Sequence, residues 1–541
     1  MPATMSRRPG RTALALVLAV ALAGPALAQS APASASIPMA FKQAVAEASA
    51  DDRKVAAFYR ETGYMPVWTG PGEADRARRA ALFEALAGAG AHALPVPKYR
   101  TDALLARMAA ARSPRDLGLV EAELTQLYLD YATDIQTGIL TPGKVDSEIK
   151  RVVPLRDTSE YMNGIRGADP RAFLRSLIPT TGEYTRLLKA KMDMERRIAS
   201  GGWGPQVQAS SLKPGERGRA VVALRDRLTS MGYLQRSLSD TYDAAMQEAV
   251  QAFQADHGLT PDGVAGSGTL EEVNVPMEER LKSVIVAMER ERWLNRPRGD
   301  RHVLVNLTDF TAKIVDFDKV TFETRSVIGK NDPDRRSPEF SDVMEHMVIN
   351  PTWNVPRSIA TKEYLPALKR NPYAAGHLRV INSRGQVVDR GSVNFAAYNA
   401  RNFPFDLKQP PSNSNALGLV KFMFPNPYNI YLHDTPAKSL FAREVRDFSH
   451  GCIRLNDPFD FAYALLARQE SDPKSFFQSV LGTGRETTVK LGQPIQVHLI
   501  YRTAATQAKG QINYRRDIYG RDARIWSALA QQGVVLKGVQ G

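Results

Sequence analysis

Near residue 301 the hydrophobic period of the chain changes, and one layered domain cannot satisfy both periods. Upstream, apolar residues recur at helical spacing. Downstream, RHVLVNLTDFTAKIVDFDKVTFETRSVIGK alternates apolar and polar residues with turn residues between the runs, the pattern of a β-meander beginning near His302. Strand-like runs continue at MVINPTW, VKFMFP, YNIYLHD, PIQVHLIYRTA and QINYRRDIYG. The expected fold class is multidomain α+β, with helical segments first and a mainly-β domain last. A chain of 541 residues has room for about two to four such domains.

The helical part divides further. DDRKVAAFYRETG opens on an Asp51 cap, and SPRDLGLVEAELTQLYLDYATDI opens on Ser113 with Pro114 at the first helical position. With GEYTRLLKAKMDMERRIAS these predict a helical scaffold domain over residues 39–205, in which nothing looks catalytic. A small module is expected over 206–275, where Val221, Leu224, Leu228 and Met231 form one apolar stripe and Met246, Val250 and Phe253 another. PMEERLKSVIVAMERERWL predicts a helical connector over 276–300, and the β domain then occupies 301–522. Within it, residues 357–411 change character: TKEYLPALKRN reads as a helix and GHLRVINSRGQVVD as a hairpin. An insertion there is either a lid or a decoration, and its tyrosines Tyr364, Tyr373 and Tyr398 either cover a ligand or form the insertion's own core. Residues 523–541 are expected to be a C-terminal tail.

The first residues, MPATMSRRPGRTALALVLAVALAGPALAQS, set Arg7, Arg8 and Arg11 before an apolar run and the triplet Ala26, Leu27, Ala28. This is the layout of a cleaved secretory leader over 1–28. Pro9 and Gly10 after the arginine pair favour the general export route over a twin-arginine one. An Ala/Ser/Pro linker follows over 29–38. The apolar run is shorter than the ~20 residues that span a bilayer, so an exported protein without a transmembrane helix is expected, in the periplasm. The net charge of +14 suits an acidic partner. No lysine-rich block or nucleic-acid-binding fingerprint occurs, and export disfavours nucleic acid; an anionic wall polymer is the natural candidate.

An exported chain ordinarily carries paired cysteines, yet this one has a single cysteine, Cys452, in FSHGCIRLNDP. It is either an inert buried thiol or a reactive one. Ser449, His450, Gly451 and Arg454 surround it with polar, cationic and flexible neighbours, which predicts a lowered thiol pKa and an accessible sulfur. A thiolate attacking a carbonyl needs a base and oxyanion donors. Of the eight histidines, His92, His257, His302, His346, His377 and His498 read as structural or surface. His433 ends the strand-like run YNIYLHD shortly before the cysteine loop, which makes it the expected base and Cys452 the nucleophile. Asp457 and Pro458 then open a helix.

Two resemblances sharpen this reading. LKPGERGRAVVALRDRLTSMGYL followed by YDAAMQEAVQAFQADHGLTPDGVAGSGTL resembles the peptidoglycan-binding domain type 1, which implies a wall glycan or stem peptide as partner. HDTP with SHGCIRLND resembles the L,D-transpeptidase (YkuD) signature, and INPTWNVPRSIA, NALGLVKFMFPNPYNIYLHDTP and RRDIYGRD resemble its large Gram-negative members. By that resemblance Cys452 is the nucleophile and His433 the proton acceptor and donor, oriented by a backbone acceptor or by Asp434. The oxyanion is held by the Gly451 and Cys452 amides, with His450 and Ser449 supporting the loop. Arg454 either receives a substrate carboxylate or clamps the loop, and Asn415 is a further substrate-binding candidate. The implied substrate is the peptidoglycan tetrapeptide stem, with D-alanine released and a 3-3 cross-link formed; carbapenem-type inhibitors are implied ligands, and no cofactor or metal is expected. Rival readings are an L,D-carboxypeptidase or endopeptidase, a lipoprotein-wall transferase or hydrolase, a zinc hydrolase built on His433, His450 and Cys452, and a non-catalytic wall-binding protein.

Overall fold

The computed structural model describes residues 36–295, 297–507 and 510–536; the expected leader and most of the linker lie outside them. Among the described residues no helix is long and apolar enough to cross a membrane. In the helical part, the cap of the Arg53–Glu61 helix is Asp52, not Asp51: its carboxylate accepts from the Lys54 and Val55 amides at 2.9 and 3.1 Å. Ser113 caps helix α1 (Pro114–Thr137), with Asp116 closing a capping box. Inside this domain the fully buried Glu121 on α1 accepts from the Val67 amide at 2.6 Å, the Thr69 amide at 2.9 Å and the Tyr59 hydroxyl at 2.8 Å. These donors satisfy a charge that burial alone would make costly.

The second helical core is built on α2 (Gly182–Ile198) and α3 (Met277–Trp293), which pack together. The segment expected to be a connector is the most enclosed helix of the molecule's middle: every residue from Val284 to Trp293 is buried, the charges of MERERW included. Some of those charges have partners remote in sequence and others have partners close by. Arg290 pairs with Glu339 at 2.6 Å and Asp522 at 2.8 Å, Arg292 with Glu289 at 2.8 Å, and Glu291 with Arg298 at 2.8 Å and with Arg502. The small module folds around its own core, where the two expected stripes meet on the helices Arg219–Met231 and Ala244–Asp256.

The β domain is a nine-stranded sheet. Its strands are β1 (Arg301–Asn306), β2 (Thr311–Asp316), β3 (Lys319–Gly329), β4 (Phe340–Ile349), β5 (Val420–Met423), β6 (Leu432–His433), β7 (Asp447–Ser449), β8 (Ile453–Leu455) and β9 (Thr487–Ile500). The order is β7-β3-β8-β6-β5-β4-β9-β1-β2, and β3 also pairs with β2, so the sheet closes on itself. Val303, Val305, Ile314, Met347, Phe422 and Leu432 fill its interior, with helix α4 (Pro458–Leu466) contributing Phe461 and Leu465. The final segment is a helix rather than a tail over α5 (Arg521–Gln531), whose Ile525 and Leu529 join the core around α3.

Arg290→Met removes the cation shared by Glu339 and Asp522, leaving buried Asp522 without its ion-pair partner and Glu339 with Arg521 alone. Loss of one member of a buried ion pair typically costs about 3–5 kcal/mol, so the urea midpoint of the variant should fall clearly below that of the parent. An unchanged midpoint would show that these pairs contribute nothing to stability.

Candidate active site

The site is assembled by two short strands lying side by side. β8 pairs in parallel with β6, Ile453 opposite Leu432 and Arg454 opposite His433, and the Ile453 amide donates to the Tyr431 carbonyl at 3.1 Å. Because side chains alternate along a strand, Tyr431 and His433 share one face with Cys452 and Arg454. Leu432, Ile453 and Leu455 point the other way, into the hydrophobic interior. The apolar residues of each strand therefore fix which way the chemical groups face.

His433 is buried, and its Nδ1–H donates to the main-chain carbonyl of Asp434 at 2.5 Å. Of the two orienting acceptors left open by the sequence, the backbone is the one used. The Asp434 carboxylate is committed elsewhere, accepting from the Thr435 amide at 2.7 Å, the Leu419 amide at 2.9 Å and Lys438 Nζ at 2.8 Å. Burial, and next the positive charge of Arg454, push the imidazole down to about 3, against the opposing pull of the Asp434 and Leu417 carbonyls. The ring is neutral near neutral pH, with the Nδ1 proton held and Nε2 left as the basic atom.

Cys452 is half-buried, and its Sγ–H points to the carbonyl of Asn429 at 3.4 Å, a residue in left-handed backbone (φ 57°). Burial pushes the thiol up to about 11; hydrogen bonding with Tyr431 and the charge of Arg454 act the other way but are outweighed. The expected low pKa is thus corrected: the cationic neighbour is present, but desolvation is the larger effect. The resting pair is thiol and imidazole, both neutral. Tyr431 is a functional candidate that the motif reading missed, although alternation in YNIYLHD places it on the face of His433. Its ring lies 5.6 Å from that of His433, and it is among the groups that act to lower the Cys452 thiol.

The loop before the thiol is held by hydrogen bonds of its own. Gly451 sits at φ +111°, where a side chain would be strained, and an added Cβ would approach Ile430 Cδ1 to 3.2 Å. Its carbonyl accepts from Ser337 Oγ at 2.6 Å, and its amide donates to Ser449 Oγ at 3.1 Å. The Ser449 hydroxyl donates in turn to the Cys452 carbonyl at 2.6 Å. Gly451 N–H, expected as an oxyanion donor, is therefore engaged by Ser449, whereas the Cys452 amide makes no hydrogen bond among the described residues. Arg454 has no ion-pair partner among them, and its buried Nε is unpartnered. Asn415, expected to bind substrate, is fully buried, with its amide donating to the carbonyls of Pro351, Gln409 and Pro410 at 3.1, 3.1 and 2.9 Å. It braces a turn and has no group left for a ligand.

His450 turns outward, its Nε2 2.7 Å from Glu363 Oε1, and Glu363 also pairs with Arg335 at 2.8 Å. It does not converge with His433 and Cys452; among the described residues no group of three or more His, Cys, Asp or Glu is placed to hold a metal ion. Glu363 belongs to the insertion, which begins earlier than expected, at the strand Trp353–Asn354, and adds the strands Arg379–Ile381 and Asp406–Gln409. It has its own core. Tyr364 and Tyr398 pack there against Trp353, Phe403 and Phe405, while Tyr373 is exposed. Tyr431 packs against the same core, so the insertion and the catalytic strand share a wall.

Comparison with known proteins gives three family matches. Residues 300–496 match YkuD, the L,D-transpeptidase catalytic domain; residues 53–190 match a family described as "Scaffold domain"; residues 217–272 match one described as "Putative peptidoglycan binding domain". A Haemophilus influenzae protein named "Putative L,D-transpeptidase" is 25% identical over 455 residues, covering 83% of this chain and 84% of its own. An L,D-transpeptidase crystal structure from Xylanimonas cellulosilytica is 14% identical over 55% of this chain and 98% of its own, with a TM-score of 0.16. One from Stackebrandtia nassauensis is 14% identical over 55% and 96%, with a TM-score of 0.21. At so low a structural likeness the functional reading rests on the family matches and on the geometry of the site.

Alkylation of the sole cysteine reads the state of the pair directly. With the thiol near 11, the rate with iodoacetamide should climb with pH through neutrality and beyond without a plateau, because the thiolate fraction keeps growing. A plateau near neutral pH would mean a thiolate–imidazolium pair instead.

Proposed function

We propose that this chain, whose residues 300–496 belong to the YkuD L,D-transpeptidase catalytic family, cross-links peptidoglycan by acyl transfer through Cys452. The observation that carries the reading is the juxtaposition of a half-buried thiol, a neutral buried imidazole and an unpaired guanidinium on one strand face. As Cys452 Sγ attacks the carbonyl after the L-centre of diaminopimelate in a tetrapeptide stem, His433 Nε2 takes the thiol proton. The Cys452 amide and the Tyr431 hydroxyl are placed to donate to the oxyanion. Collapse breaks the bond to D-alanine, whose amine leaves with the proton from His433. The thioester then meets the side-chain amine of a neighbouring stem, His433 accepts that amine's proton, and the thiol is restored as the 3-3 cross-link forms.

Arg454 suits a substrate carboxylate, because its fork is otherwise unpaired. The insertion reaches the catalytic loop through Glu363 and His450 and shares a wall with Tyr431, a position from which a closed lid would keep water from the waiting thioester. Export to the periplasm by the 1–28 leader and retention at the wall by the 217–272 module complete the reading.

Incubation with a carbapenem should add one inhibitor mass per chain, and Cys452→Ala should abolish the adduct. His433→Ala should lower turnover by roughly 10² to 10⁴, the range for loss of a general base; an adduct on Cys452→Ala would sink the assignment. On tetrapeptide-rich wall material, analysis of digested products should find 3-3 dimers in excess of tripeptide monomers. Chiefly tripeptide products would make the enzyme an L,D-carboxypeptidase using the same thiol.

A further inference from the structure

Between the small module and the catalytic sheet lies a cleft of about 450 Å³. One wall is the module's turn at residues 257–261; the other is the segment 442–446, which runs directly into β7 and the nucleophile loop. The walls are tied together. Glu444 accepts from the Thr260 amide at 2.7 Å and from its hydroxyl at 2.6 Å, and Arg515 donates to the Asp256 carbonyl at 2.6 Å.

Four guanidinium groups line this cleft without a carboxylate partner among the described residues: Arg325, Arg443, Arg446 and Arg515. Arg446 donates to the carbonyls of Ser326, Arg443, Asp309 and Phe310 at 3.1, 2.8, 3.3 and 3.2 Å. Arg325 reaches the Phe441 carbonyl at 3.3 Å, and Arg443 only lies over the Phe448 ring at 5.4 Å. The two acids of the cleft are already engaged, Glu444 with Thr260 and Asp309 with the Thr311 amide and hydroxyl at 3.0 and 2.7 Å. A fifth arginine, Arg516, pairs with Glu272 at 3.1 Å. Burial and then the charge of Arg325 bring Arg446 down to about 10, Asp309 opposing and Arg515 adding. Cations gathered at neutral carbonyls repel one another, and a bound anion offsets that cost.

We propose that this cleft is a second stem-peptide site, holding the carboxylates of a peptidoglycan stem other than the one engaged at Cys452. The inference rests on the stem-peptide reading of the active site. A carboxylated peptide is favoured because one wall belongs to the segment matching a peptidoglycan-binding family, and guanidinium forks suit carboxylates. Arg446 lies six positions before Cys452, so at most roughly 20 Å of extended chain separates them. A stem anchored there keeps a neighbouring strand of wall at high effective concentration beside the thioester.

The test is calorimetric titration of the full chain carrying Cys452→Ala, which prevents turnover, with soluble disaccharide-tetrapeptide. Two ligands should bind, and adding Arg325→Gln with Arg443→Gln, both exposed side chains, should remove one of them or weaken it by roughly tenfold or more. In the parent, the second binding step should also weaken as ionic strength rises. A single ligand bound with and without the arginine substitutions overturns the cleft site while leaving the stem at position 452. A single ligand lost on substitution keeps the cleft and overturns the stem reading of the active site. Inorganic phosphate displacing the second ligand at equal concentration would reduce the cleft to a general anion site and overturn the proposal.

Discussion

Arg290 is the point through which α3, the sheet domain and the C-terminal helix are joined. It sits fully enclosed on α3, yet it bonds Glu339 of the catalytic domain and Asp522 of the C-terminal helix. Arg521 adds a second cation, 3.2 Å from Glu339 and 3.6 Å from Asp146 of the helical part. Glu291 is held by Arg298 and Arg502 and accepts from Thr181 at 2.9 Å. Each charge is expensive to bury and is tolerated because its partners arrive from a different segment. Such a network disfavours any docking that leaves one member unpaired, so it specifies the relative placement of the helical part and the sheet more tightly than apolar contact alone.

That constraint reaches the active site along a short path. Arg521 Nη2 donates to the Ser337 carbonyl at 2.9 Å, and Ser337 Oγ donates to the Gly451 carbonyl at 2.6 Å. The loop before Cys452 is therefore braced from the same ionic centre, while the β6–β8 pairing fixes its other side. Between these supports burial disfavours the charged forms of both the thiol and the imidazole.

Much of the candidate site was legible because its groups are neighbours in sequence. SHGCIR and HDTP identify Cys452 and His433, and strand alternation would also have found Tyr431. What failed depended on long-range packing. The charges around Cys452 are visible in the sequence, but the burial that overrides them comes from strands far along the chain. Asn415 is a substrate-binding candidate in the sequence, yet the turn carbonyls of Pro351, Gln409 and Pro410 consume its amide. MERERW reads as an ordinary connector end because Glu339, Arg502 and Asp522 are remote in sequence. The fold class survived intact, since it depends on periodicity. The insertion's start moved to Trp353 because that residue pairs with Gln409 across the inserted segment.

The central claim is that His433 waits as a neutral base with its Nδ1 proton held by the Asp434 carbonyl. Nitrogen-15 spectra of the protein labelled at histidine, with His433→Ala to assign the ring, test it most directly. A proton-bearing Nδ1 and a lone pair on Nε2, unchanged from mildly acidic to mildly alkaline pH, is the predicted result. A ring protonated on both nitrogens at neutral pH would contradict it, because the thiol would then have surrendered its proton before any substrate arrived.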